Sequence, residues 1–149
     1  MRYFEDFVVG SKEALKGCHQ FSEEEIVEFA TRWDPQPFHL DREAAANSIF
    51  GGIVACSSHI ITASISVPMK DEGNATAAVS ALGFREIKLF APVRPGDTIS
   101  TFEEVLESRL SKSRPGCGIV VFRDSISNQN GELVMRFETA ALVKCKEST

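Results

Sequence analysis

Basic residues are in deficit: 16 Lys and Arg face 21 Asp and Glu across 149 residues, a formal net charge of −5. A surface of that sign repels a phosphate backbone, which argues against nucleic acid as a partner. Cysteine is scarce and scattered. Cys18, Cys56, Cys117 and Cys145 form no CxxC pair and have no His at ligand spacing, so neither a disulfide framework nor a metal site is indicated. Long apolar runs are missing as well. The stretch Gly52 to Val67 is broken by Ser57, Ser58, His59, Thr62 and Ser64 and falls short of the roughly 20 residues that a membrane-spanning helix needs. Near the start, Glu5 and Asp6 stand where an export signal carries a basic region and an apolar run, so a cytoplasmic location is expected. No repeat, low-complexity tract or Ser/Gly-rich linker divides the chain, and one domain is expected over 1–149. That length, at 43% hydrophobic residues, suffices for a core that holds without cross-links.

Periodicity separates the chain into a helical first part and an extended second part. Ser22 reads as an N-cap with Glu25 at the reciprocal position, followed by apolar Ile26, Phe29 and Ala30. That helix has to stop near Arg32 or Trp33, because Pro35 and Pro37 bias Asp34 and Gln36 away from helical angles. The acidic run Glu23 to Glu25 suits the positive end of the helix dipole. A short second helix is expected from Asp41, as cap, through Ala46. After the break at Phe50-Gly51-Gly52, a third spans Ile53 to Val67 and is small or apolar on nearly every side, which places it inside a core. From Phe84 the period becomes two. Strands are expected over Phe84 to Phe90, Thr98 to Leu110 after a Pro95-Gly96-Asp97 turn, Gly118 to Ser127 and Glu132 to Lys144, the last pair joined by the hairpin signal Asn128-Gln129-Asn130-Gly131. In the final strand Leu133, Met135, Phe137, Thr139, Ala141 and Val143 share one face, and Glu132, Arg136, Glu138 and Lys144 the other. Helices followed by long antiparallel strands give an α+β domain whose sheet covers the apolar helix.

The most informative segment is Trp33-Asp34-Pro35-Gln36-Pro37-Phe38-His39-Leu40-Asp41. It holds one of only three histidines, five residues after a carboxylate. Its prolines stiffen the backbone, so Asp34 and His39 can be aimed at a common point without the packing of a regular element. A His and a carboxylate together can activate water and protonate carbon, as hydration of a double bond conjugated to a carbonyl requires. Backbone N–H groups near Cys56, Ser57 and Ser58, at the start of the apolar helix, would serve the enolate oxygen. On these residues alone a second reading stands equally: Asp34 ends a helix and His39 satisfies a backbone carbonyl.

Asp34-Pro35-Gln36-Pro37-Phe38-His39-Leu40-Asp41 with Ala44 and Ala45, continued by Phe50-Gly51-Gly52-Ile53-Val54-Ala55, resembles the MaoC-like enoyl-CoA hydratase family. Pro92-Val93-Arg94-Pro95-Gly96-Asp97 and Ser111-Lys112-Ser113-Arg114-Pro115 extend the resemblance, which covers Tyr3 to Val143. It implies a single hotdog domain, an antiparallel sheet wrapped around a central helix, and a homodimer whose acyl-CoA tunnel runs between subunits. It also implies R-specific syn hydration of trans-2-enoyl-CoA with no metal or redox cofactor, the CoA thioester being the substrate. Asp34 and His39 would hold the water and the Ser57 N–H the thioester oxygen. Gln36 and His59 would lie beside the substrate, and Arg94, Lys112 and Arg114 would meet CoA phosphates. Three positions depart from the family's pattern. Trp33 replaces a Gly and is expected to pack the helix end, Gln36 replaces an Asn, and Ser57 puts a Cβ where a Gly gives close approach. A hotdog thioesterase and a non-catalytic acyl-CoA-binding subunit are the alternatives. Outside the resemblance, a lone helical His such as His59 is also a core residue bonded to a carbonyl. His19 has no role beyond packing.

Overall fold

A computed structural model describes residues 1–147 of the chain; the last two residues of the expected domain lie outside the described residues. Four helices, α1 (Glu23–Trp33), α2 (Pro37–Leu40), α3 (Arg42–Ala46) and α4 (Ser57–Met69), accompany six strands. The strands are β1 (Lys12–Ala14), β2 (His19–Gln20), β3 (Ala78–Leu89), β4 (Thr98–Leu110), β5 (Cys117–Ser127) and β6 (Leu133–Lys144). These strands pair antiparallel throughout, in the order β1-β4-β5-β6-β3, with β2 on β4.

The inner face of the sheet carries two apolar clusters. Ile99, Ile126, Met135 and Phe137 pack against Ile60 and Ala63 of α4 and Ile26 of α1. Val105, Val120, Phe122, Ala141 and Val143 pack against Phe7 near the start of the chain. The expected face of β6 is therefore the core face at Met135, Phe137, Ala141 and Val143. Its opposite face is closed rather than free, because buried Glu138 accepts hydrogen bonds from Arg85 at 2.6 Å and Arg123 at 2.9 Å. At one edge, β3 leaves every residue exposed, with Val79, Leu82, Phe84, Ile87 and Leu89 uncovered. Among the described residues, no helix is long and apolar enough to cross a membrane.

Several expected boundaries change. The apolar helix begins at Ser57 and not at Ile53, because Ile53 to Cys56 form a buried extended entry whose Ala55 N–H bonds the Val93 carbonyl at 2.9 Å. Strand β3 begins at Ala78, six residues before the expected start, and the extra half is held by its register with β6. Ser22 does cap α1 by accepting the Glu25 N–H at 3.1 Å, but the reciprocal bond from Glu25 is not made. That carboxylate turns inward to His19 and His59 instead.

Candidate active site

Helix α1 stops where the prolines require, and Asp34 is its C-cap, with its N–H on the Ala30 carbonyl at 2.9 Å and non-helical angles of φ −154° and ψ 74°. Contrary to expectation, His39 does sit on a regular element. Pro37 opens the one-turn helix α2, as suits a residue with no N–H to leave unpaired, and His39 is its third residue. The ring is buried, and its Nδ1 lies 2.6 Å from the Val54 carbonyl. A carbonyl only accepts, so Nδ1 carries a proton, and in the neutral ring Nε2 presents a lone pair. That lone pair faces Asp34 Oδ2 at 3.5 Å, and the Asp34 side chain keeps 36% of its surface open. Both atoms are acceptors, and one water molecule carries a hydrogen for each.

Ser57 is the first residue of α4 and is exposed. The N-cap Cys56 offers no side-chain acceptor, so the N–H groups of Ser57 and Ser58 stay open at the positive end of the dipole. Ser57 does not take a left-handed conformation; Glu86 is the described non-glycine residue that does. The backbone there does not need a glycine, and the departure from the family's pattern adds a Cβ without strain.

Other expected residues fall in different places. Gln36 is exposed as the N-cap of α2 and acts through its backbone, its carbonyl accepting the His39 N–H at 3.0 Å and its N–H donating to the Asp34 carbonyl at 2.8 Å. Arg94 reaches the Phe50 carbonyl at 2.7 Å and so ties down the glycine loop that leads into α4. Lys112 and Arg114 lie beyond the far end of β4 from Arg94, about 40 Å away along a strand of that length, so one protomer does not unite the three on one CoA. Trp33 does not pack the helix end: it is 63% exposed, with the Arg32 guanidinium 4.9 Å over its ring.

His59 is a core residue, as the simpler reading had it, although its partner is a carboxylate. Its Nε2 lies 3.0 Å from Glu25 Oε1, the oxygen that His19 Nε2 also meets at 2.6 Å, and its ring stacks on Phe29 at 4.3 Å. His19 thus has a role that its sequence context did not reveal, joining β2 to α1 and α4 through one oxygen. Burial pushes the Glu25 carboxyl up, and the two imidazoles together outweigh burial and hold it below the usual range. Burial holds His59 below its ordinary value, against the pull of Glu25. These three side chains are of metal-ligand type and lie close together. His59 Nδ1, however, is buried without a hydrogen-bond partner, whereas a metal-bound imidazole normally donates its other N–H to an acceptor.

A family model described as the MaoC like domain matches residues 9–121. The chain is similar to the crystal structure of the MaoC-like dehydratase from Rhodospirillum rubrum, with 32% identity, a TM-score of 0.90, and coverage of 99% of this chain and 100% of that one. It is also similar to the (R)-hydratase from A. caviae involved in PHA biosynthesis, with 25% identity, a TM-score of 0.68, and 95% and 98% coverage. The uncharacterized protein YdeM of Bacillus subtilis is 26% identical over 140 residues, 94% of this chain and 97% of that protein. With a sheet and helices in the hotdog arrangement and most of its length under the family model, this chain belongs to the MaoC-like dehydratase family.

Proposed function

We propose that the protein is a hydro-lyase that reversibly adds water to trans-2-enoyl-CoA, giving the (R)-3-hydroxyacyl-CoA, or dehydrates a related hydroxyacyl-CoA. The observation that carries the reading is the orientation of His39, whose bond from Nδ1 to the Val54 carbonyl turns Nε2 toward the Asp34 carboxylate at 3.5 Å. In this reading a water molecule bridges the two. As its oxygen bonds to C3, His39 Nε2 takes one proton and Asp34 keeps the hydrogen bond from the other. Electron density moves to the thioester oxygen, where the open N–H of Ser57 and the positive end of α4 stabilise it. Return of the proton from His39 to C2 on the same face completes a syn addition. The reaction calls on no metal or redox group.

The exposed, apolar edge of β3 supports a homodimer, because an unpaired edge of this length presents a row of free backbone groups beside uncovered side chains. A cavity of about 440 Å³ along the second half of α4, walled by Ile65, Pro68, Met69 and Phe84, supports an acyl-chain site.

Incubation with crotonyl-CoA and longer homologues tests the proposal, with the enoyl-thioester absorbance and free thiol followed together. Loss of absorbance without thiol release is expected. Thiol release without hydration would make the protein a thioesterase, and tight binding with neither reaction would make it a binding subunit.

A further inference from the structure

The middle of the sheet's inner face breaks the apolar pattern on either side of it. Asp124 on β5 stands directly across from Glu103 on β4, and from Phe137 on β6. Its neighbours on the same face of β5 are buried Phe122 and Ile126, which belong to the two separate apolar clusters. A pair of carboxyl groups directly opposite each other on adjacent strands opposes folding, and an aliphatic residue at 124 would make the face continuous.

Glu103 has a partner, accepting from Arg2 at 3.1 Å. Asp124 does not: its Oδ1 is shielded from solvent and accepts no hydrogen bond. Arg2 commits its terminal nitrogens to Glu13, Glu103, Thr76 and the Asn74 carbonyl, while its Nε–H is also buried and unpaired. Asp124, half-buried and accepting no hydrogen bond from the described residues, stands in the wall of the cavity along α4, whose other walls include Ile65, Met69 and Phe84. The cavity begins at Ser64 and Ile65, about 12 Å along α4 from Ser57 by the rise of a helix. An acyl chain held by its thioester at Ser57 and laid along α4 arrives there with its far end.

We propose that this cavity receives the far end of the acyl chain, and that Asp124 selects a tail carrying a hydroxyl group over a plain alkyl end. The inference rests on the hydratase reading above. A hydroxyl donates and accepts, so it pairs with the Asp124 carboxyl whether or not that carboxyl is protonated. An alkyl end leaves that carboxyl unpaired among apolar walls, a difference to which such sites respond strongly. Burial, with the Glu103 charge adding to it and Arg2 opposing, pushes the Asp124 carboxyl up to about 7. Near neutral pH it therefore exists in both forms, and either form bonds a hydroxyl.

The test compares kcat/KM for hydration of a medium-chain trans-2-enoyl-CoA and of its ω-hydroxy analogue, in the wild type, Asp124→Asn and Asp124→Leu. The wild type is expected to favour the ω-hydroxy chain by roughly tenfold or more, the worth of one buried hydrogen bond. Asp124→Asn keeps most of that preference and Asp124→Leu reverses it. Equal treatment of the two chains by the wild type would overturn the proposal, as would an unchanged preference in Asp124→Leu with normal turnover of the alkyl chain. If no protein hydrates either chain, the hydratase reading fails on its own. Calorimetric affinities of the saturated acyl-CoA and its ω-hydroxy analogue then decide the role of Asp124 without chemistry: tighter binding of the ω-hydroxy form, lost in Asp124→Leu, supports it, and equal affinities refute it.

Discussion

Replacement of Asp124 by Asn is expected to stabilise the fold in mild alkali and to leave it nearly unchanged in acid. The Asp124 carboxyl moves from an ordinary value of 3.8 to about 7 in the folded chain, chiefly through burial. Between those values the native state holds a proton that the unfolded state has lost. The stabilising contribution is thus fully present below about pH 3.8 and is lost as the pH rises through about 7. A displacement of about three units, at about 1.36 kcal/mol per unit, corresponds to a loss on the order of 4 kcal/mol. That figure is an upper bound, because water entering the adjoining cavity and movement of Arg2 relieve part of the cost. Asn keeps the shape and never ionises. Urea unfolding of both proteins from about pH 4 to about pH 8.5 would show two stability curves that nearly meet at the acid end, separate as the pH rises to about 7 and hold that gap above it, the variant above the wild type. Curves that stay parallel across that range would refute the reasoning, because they would mean that the carboxyl ionises as easily in the folded chain as in the unfolded one.

Ser57→Pro removes the N–H proposed for the thioester oxygen while keeping the first turn of α4, since proline suits that helical position; kcat should fall about 100-fold with little loss of stability, and a change under about threefold would exclude this N–H. Glu25→Gln weakens the bonds to both His19 and His59 and should destabilise the fold by about 2 kcal/mol near neutral pH in urea melts. Because burial depresses His59 in the folded chain, its contribution is present above its ordinary value of 6.5 and is lost as the pH falls through the lower folded value. His59→Phe should accordingly flatten the acid side of the stability profile. Gly118→Ala places a Cβ against the ring of Phe4, so a loss of about 2 kcal/mol is expected, largely recovered when Phe4→Ala is added.

What the sequence made legible was local. The cap at Ser22, the stop after Trp33, the cap at Asp41 and the two-residue period of the long strands follow from the chemistry of near neighbours, and all appear in the structure. The end of the apolar entry was not legible, because Ile53 to Cys56 are as apolar as the helix they precede, and it is the distant Val93 carbonyl that draws them out straight. Likewise Glu25 carries a capping pattern, but its carboxylate is claimed by His59, thirty-four residues away. The first half of β3 has small residues with no alternation, and pairing with β6 alone defines it. Within the site, the Asp34 to His39 spacing was readable, whereas the tautomer of His39 depends on the Val54 carbonyl across the glycine loop. Asp124 is inconspicuous for a similar reason: in sequence it is one polar residue in a strand, and only the sheet sets it opposite Glu103 beside a cavity.

The central claim is that Asp34 and His39 act together on one water molecule. It is tested most directly by the initial rate of crotonyl-CoA hydration in the wild type, in Asp34→Asn, in His39→Ala and in the double variant. The geometry predicts a measurable wild-type rate, a loss of at least about 100-fold in each single variant, and little further loss in the double variant, because the pair works as a unit. A single variant that hydrates at the wild-type rate, or losses that multiply in the double variant, would contradict it.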